Sequence, residues 1–397
     1  MSKRHPSGFI SAFYDPLKNP DAPTIGTATA GDTSASVAFT PPSNVGGSAI
    51  SEYYAISDPS RITASAASSP ITVSGLTNGT AYTFAVWATN TYGPSAYSAS
   101  TGSVTPEQLV GALYASGDNS TFTMNLIRIP TLGNATYFGD LNYAAAGLIS
   151  CASATRGLFA GGSTSSGKTS TISYVTFAST GSATTFGSLL GLSEQGTALS
   201  NSTRGVFVIG NSTNTINYVT IATTGNATDF GDTTAVSAVP CAAASTTRGV
   251  TCLGSTGSAF NIIDYITIAS TGNATFFGNL YQDAYWCGAC SNSTRMLIFG
   301  GYTNGFGNPT NVIQYLTIAS TGNSVDFGDL SSTRLKSRSA ASSTRAITAS
   351  GLFNNSSYLN TIEYVTIAST GNSTNFGDMT YTTSGDLASC SNSHGGL

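Results

Sequence analysis

Ile216-Asn217-Tyr218-Val219-Thr220-Ile221-Ala222-Thr223-Thr224-Gly225-Asn226-Ala227-Thr228-Asp229-Phe230-Gly231-Asp232 is one copy of a phrase that recurs along the chain. Residues 172–188, 263–279, 313–329 and 362–378 repeat it almost letter for letter, and 124–140 is a looser copy. The phenylalanine of the Phe-Gly ending marks each copy: Phe138, Phe186, Phe230, Phe277, Phe327 and Phe376, with separations of 48, 44, 47, 50 and 49 residues. A period of this length belongs to a repeat protein, in which each unit buries its apolar face only against its neighbours.

Each unit reads as four short strands. In the second they cover 148–152, 157–161, 172–178 and 183–186. Ser-Thr-Arg joins the first two, a variable loop follows, and Ser-Thr-Gly-Asn or a close variant closes the last hairpin. Glycine there supplies the positive φ of a tight turn. Four antiparallel strands in about 50 residues predict the blade of a β-propeller, in the length range of kelch repeats. A parallel β-helix would need shorter and more uniform coils. Five complete units run from 141 to about 379, residues 109–140 hold only the later strands of a sixth, and 380–397 hold only a first strand. Six blades are expected, closed by strands from both ends of the array, because closure removes open sheet edges.

The 397 residues leave room for a smaller leading domain. Residues 1–19 form an aromatic leader, in which Phe9, Ile10, Phe13 and Tyr14 are expected to dock on a partner because such a cluster is costly in water. Residues 20–106 change to short alternating segments divided by Gly, Pro and Asn, as in a sandwich. The propeller then occupies 107–397.

Composition limits the chemistry. Only 8% of residues are charged, against roughly a quarter in ordinary domains. A net charge of -4 without Lys or Arg clusters excludes nucleic acid as a partner. No apolar run is long enough to span a bilayer, and the N-terminal stretch is broken by Pro6 and Asp15, unlike a secretion signal. The only histidines are His5 and His394, at the two extremities, so nucleophilic triads are hard to build. The acids Glu194, Asp264, Asp283 and Glu363 fall in different units, which does not suit a glycosidase's carboxylate pair. No catalytic residues, metal site or cofactor are therefore expected. Cys151, Cys290 and Cys390 occupy one repeat position where other units carry Ala or Leu, which reads as a small apolar core site; Cys241, Cys252 and Cys287 complete the set. The Cys287-x-x-Cys290 pair lacks the second Cys/His pair of a zinc site.

Arg156, Arg204, Arg248, Arg295 and Arg345 follow threonine at one repeat position. They could ring an anionic ligand, or each could bond backbone carbonyls of a neighbouring blade; a position repeated in the units favours the second. Asp140, Asp232, Asp329 and Asp378 read as turn residues. Binding is expected instead where the units differ, in the loops between second and third strands and the links between blades. That end holds Tyr281, Tyr285, Trp286, Tyr302, Phe306, Phe353 and Tyr358, whose rings would suit a sugar or a protein. Tyr285 and Trp286 are adjacent on the chain, so at least one is expected to face the core.

The stretch Gly75-Leu76-Thr77-Asn78-Gly79-Thr80-Ala81-Tyr82-Thr83-Phe84-Ala85-Val86-Trp87-Ala88-Thr89-Asn90 resembles the fibronectin type III signature, with Tyr82 placed for a tyrosine corner and Phe39 where that family usually has tryptophan. The leader Arg4-His5-Pro6-Ser7-Gly8-Phe9-Ile10-Ser11-Ala12-Phe13-Tyr14-Asp15-Pro16-Leu17, this module and the Tyr-Val-Thr-Ile-Ala-Ser-Thr-Gly repeats together resemble structural proteins of marine and cyanobacterial tailed bacteriophages. The resemblance implies a non-enzymatic virion component of tail or fibre type, assembled in the host cytoplasm. The leader would bind other virion proteins and the propeller a host surface glycan or protein, with copies of the chain associating in the particle. A capsid decoration protein, a cellular adhesin and a polysaccharide-trimming enzyme are the alternatives.

Overall fold

The computed structural model describes residues 17–107, 110–117, 121–210, 212–254, 261–303, 308–354, 356–381 and 386–397. Phe9, Ile10, Phe13, Tyr14 and Phe306 lie outside them. The described residues form strands and turns with no helix, and the chain divides between Leu109 and Val110 into two compact units.

In the first unit, strict alternation puts every second side chain of Ser34–Thr40 and Thr83–Asn90 into the core, including Val37, Phe39, Phe84, Val86 and Ala88. Thr24–Gly31, Ser34–Thr40 and Ile71–Ser74 form one antiparallel sheet. Thr63–Ala66, Glu52–Asp58, Thr83–Asn90 and Gly93–Pro94 form the other, in that order. Phe39 fills the core against Tyr53, ring centroids 4.8 Å apart. The sandwich starts before residue 20: the backbone N–H of Lys18 donates to Gly46 O at 3.0 Å, and Asn90 Nδ2 donates to Lys18 O at 2.9 Å.

Among its described residues the second unit contains six antiparallel sheets of four or more strands, numbered in chain order of their second strands with the sheet that joins both chain segments taken last, and a small two-stranded sheet of Leu352–Phe353 and Ser357–Tyr358. Sheet 1 has Ile149–Ala152, Arg156–Ala160, Gly167–Thr176 and Thr184–Ser193, with Ser163–Thr164 added beside the third strand. Sheet 2 has Thr197–Ser200, Arg204–Val208, Thr213–Thr220 and Thr228–Ser237. Sheet 3 has Cys241–Ala244, Arg248–Cys252, Ile262–Thr267 and Thr275–Asn279. Sheet 4 has Gly288–Ser291, Arg295–Thr303, Asn308–Thr317 and Val325–Asp329. Sheet 5 has Arg338–Ala341, Arg345–Ala349, Thr361–Thr366 and Thr374–Asp378. Sheet 6 combines Ala388–Ser391 with Gly111–Ala115, Thr123–Arg128 and Thr136–Asp140, Cys390 pairing with Leu113.

The Phe-Gly phrase makes a bulge in each outer hairpin. In sheet 1 Gly187 pairs with Ile172 and Thr185 with Ser173, so Phe186 is the extra residue and turns inward. All six marker phenylalanines are buried. In five sheets the ring meets a tyrosine of the third strand edge-on, as Phe230 does Tyr218 at 5.9 Å. Such an edge-to-face pair adds about 0.5–1.5 kcal/mol beyond burial.

Contacts between sheets run in a cycle. The turn glycine of each sheet donates its N–H to the marker phenylalanine carbonyl of the sheet before: Gly181 to Phe138, Gly225 to Phe186, Gly272 to Phe230, Gly322 to Phe277, Gly371 to Phe327 and Gly133 to Phe376. First strands are linked likewise. Ser200 Oγ donates to Ala152 O, Ser291 Oγ to Ala244 O and Ser391 Oγ to Ala341 O, each at 2.7 Å, and Ser150 Oγ donates to Ser389 O at 2.8 Å. Residues 392–397 then turn across these strands: Gly395 N donates to Ser291 O, while His394 Nε2 lies 2.9 Å from Ala152 O.

Candidate functional site

The links between sheets and the loops between second and third strands meet at one end of the second unit. Bridges Ala146–Ser163, Tyr285–Tyr302 and Leu335–Leu352 each join a link to such a loop. The aromatic residues expected to form one surface here are divided. Tyr281 is 63% and Tyr358 46% exposed, whereas Tyr285 and Tyr302 are core residues, contrary to their place in a ligand surface. They stack on each other at 5.3 Å and pack with Val239 and Leu335, because the bridge between their backbones leaves both rings on the same inward side. Trp286 is half-buried with Lys336 Nζ 4.5 Å from its ring, and Phe353 is half-buried. Leu190, Leu192 and Val236 add three exposed apolar side chains that residue type alone did not suggest. The signal for the two leucines was the apolar run Leu189-Leu190-Gly191-Leu192.

The opposite end is committed to the scaffold. Arg156 Nη1 donates to Ile221 O and Ala222 O, Arg204 to Ile268 O, Arg248 to Ile318 O and Ala319 O, Arg295 to Ile367 O and Ala368 O, and Arg345 to Ile129 O and Pro130 O. Each guanidinium also lies over the third-strand tyrosine of its own sheet, 4.5–4.8 Å from the ring. Nη1 and one face of each guanidinium are thereby committed to the scaffold.

Two of the acids that look isolated in sequence occupy one structural position. Asp264 and Glu363 follow the same isoleucine of the third strand as Ser173, Asn217 and Gln314, with Asn125 equivalent, and all six are buried. Each bonds the link from the preceding sheet. Asp264 accepts from Thr234 N at 2.8 Å, Glu363 from Ser331 N at 3.0 Å, Asn217 from Leu190 N at 2.9 Å, Gln314 from Gln282 N at 3.0 Å and Asn125 from Thr380 N at 3.2 Å, while Ser173 Oγ donates to Asn142 Oδ1. Burial raises Asp264 above the usual carboxylate range, against the Thr234 bonds. Burial acts the same way on Glu363, but the charge of Arg334 and the bonds from Ser331 and Ser373 outweigh it and lower its pKa. Glu194 pairs instead with Lys168 at 3.3 Å.

All six cysteines are free and buried, with Cys241 Sγ and Cys287 Sγ 3.0 Å apart. Among the described residues no group of three His, Cys, Asp or Glu is placed to hold a metal ion.

In the first unit, Tyr82 is buried and its phenolic oxygen accepts from the backbone N–H of Thr77 at 3.1 Å, the tyrosine corner that ties a sandwich strand to its preceding turn. Residues 21–103 match the fibronectin type III domain. The fibronectin type III module carries an outward aromatic stack of its own, Tyr54 on Trp87 at 4.9 Å and Trp87 edge-on to Tyr97 at 5.2 Å. Among curated proteins none matches this chain.

Proposed function

We propose that this chain is a non-enzymatic structural protein of a tailed-bacteriophage virion, of tail or fibre type, whose six sheets are the blades of a closed, kelch-like propeller presented to a host surface glycan or protein. Support for the ring is the cycle of glycine-to-phenylalanine bonds, which returns from sheet 5 through Gly133 to sheet 6 without a break. Support for binding is the asymmetry between the two ends. One is tied down by repeated arginine bonds, while the other, where links and loops differ from sheet to sheet, leaves Leu190, Leu192, Val236, Tyr281 and Tyr358 in the open. Leu132, Tyr137, Phe276 and Val325 are exposed too, on the outer strands and turns, so it is the variation of the link end together with its exposed apolar side chains that carries the reading. The virion setting rests on the resemblance of the leader, the fibronectin type III module and the repeats to phage structural proteins.

Purified full chain, applied to host cells and to an array of host surface glycans, tests the reading. Binding that falls at least tenfold in Tyr281→Ser/Leu190→Ser, with unfolding unchanged, is expected. Binding absent from cells and array, together with uniform coating of capsids, would instead favour a decoration protein. Release of reducing sugar from host polysaccharide would replace the proposal with an enzyme.

A further inference from the structure

The first strands of all six sheets line one central cavity of small residues. One part, about 60 Å³, is bounded by Ser150, Ala198, Ala242, Ala289, Ser339 and Ser389 and ends on His394. The same side chains border a second part, about 50 Å³, which extends toward the links at Leu148, Pro240 and Cys287. A water molecule needs roughly 10–15 Å³ on this scale, so either part has room for several waters or a small ion.

Arg338 breaks the repeat in this cavity. Its counterparts at the start of the other first strands are Ile149, Thr197, Cys241, Gly288 and Ala388, all uncharged. A guanidinium has five N–H donors. Arg338 Nε donates to Leu387 O at 2.7 Å and Nη1 to Ser337 O at 3.3 Å, and among the described residues no acceptor meets Nη2. Among the described residues no carboxylate is within ion-pair distance of it. Asp386 acts on it from further away, but that carboxylate is held by Lys336 Nζ at 3.1 Å. The neighbouring thiols do not supply the missing charge. Cys241, bonded to Cys252, and Cys287, bonded to Cys241, are both buried and held well above the usual thiol range.

A second group points to the same place. Ser389 Oγ donates to Ser339 O at 2.9 Å and Ser150 Oγ to Ser389 O, but Ser339 Oγ, in the residue next along this series and 6% exposed, has no hydrogen-bond partner among the described residues. Across from it stands Gly288, where a Cβ would come within 2.4 Å of that oxygen. A cation without a carboxylate partner and a hydroxyl without a hydrogen-bond partner, both lining the second part of the cavity, are costly unless something accepts from them.

We propose that the central cavity binds one small anion, a carboxylate or a halide, held by the Arg338 guanidinium and the Ser339 hydroxyl. The anion would neutralise the one charge placed where the six first strands converge, independently of what the link end binds.

Crystals of the full chain soaked in sodium bromide test the site, and thermal unfolding in increasing sodium acetate tests its chemistry. Expected are an anomalous bromide peak within hydrogen-bond distance of Arg338 and Ser339, and an unfolding midpoint that rises and saturates with acetate. Ser339→Ala should weaken the apparent acetate affinity about tenfold, as loss of one hydrogen bond to a charged group does. Arg338→Met should abolish the response; if that variant does not fold, the bromide map and Ser339→Ala still decide. A bromide peak without an acetate response assigns the site to halides. Bromide found only on the outer surface, with acetate acting equally on wild type and Ser339→Ala, overturns the proposal.

Discussion

Asn392 Oδ1 accepts a 2.9 Å hydrogen bond from the backbone N–H of Gly111, although 281 residues separate them. In sheets 2 and 4 the equivalent asparagine closes a local turn: Asn201 accepts from Arg204 N and Asn292 from Arg295 N. Asn392 thus does between distant segments what its counterparts do within three residues. Asn392→Ala leaves a buried N–H without its acceptor and should cost about 1–3 kcal/mol. Removing residues 387–397 should do far more, exposing the edge of Gly111–Ala115 to other chains. Denaturant unfolding, with light scattering for the truncated protein, measures both.

His394 should make stability depend on pH. Gly396 N donates to Nδ1 at 3.0 Å, so the ring proton sits on Nε2, facing Ala152 O and Ser200 Oγ. Burial lowers its pKa below 6.5, partly offset by the Ala152 bond. The unfolded chain therefore takes up a proton before the folded one does, and stability falls as pH drops below about 6.5, levelling off under the folded pKa. Urea midpoints between pH 7.5 and 5 should decline in the wild type and decline less in His394→Gln. Equal slopes would show that His394 is not the group responsible.

The buried pair Arg334–Glu363, 2.5 Å apart with both side chains nearly inaccessible, should be intolerant of losing one member. Glu363→Gln or Arg334→Met leaves an uncompensated charge or donor set and should cost about 3–5 kcal/mol, while the double variant costs less than the sum. Because Glu363's pKa is lowered from 4.5, its contribution is present above that value and lost as pH falls below it. A double-mutant cycle at pH 7 and at pH 3.5 should show the coupling shrinking in acid.

Two glycines of the organising phrase should respond differently to alanine. Gly231 has φ +142°, and a Cβ there would lie 2.5 Å from Gly272 O in the next sheet, whereas Gly225 has open space on the Cβ side. Gly231→Ala should therefore destabilise by roughly 1–3 kcal/mol through strain and backbone collision, and Gly225→Ala by much less. Thermal unfolding of the two variants side by side makes the comparison.

Much of this architecture is legible in the sequence because it depends on features that recur. The phrase spacing sets the number of sheets, alternation sets which side chains turn inward, and the match of Ser389-Cys390-Ser391-Asn392 to Ala289-Cys290-Ser291-Asn292 shows that the last segment has the pattern of a first strand. Even the arginine reading followed from repetition, since a side chain present in unit after unit serves contacts that every unit makes. Tertiary structure alone decided the rest. Asp264, Glu363, Gln314 and Asn217 share one task without sharing a side chain, because the link N–H asks only for an acceptor at that register. Whether Tyr281 or Tyr285 reaches solvent depends on a bridge to a loop whose course local pattern does not specify. That Arg338 meets no carboxylate at ion-pair distance among the described residues emerges only when six strands from across the chain meet around it, since such a lack is a property of the assembled surroundings and not of any segment.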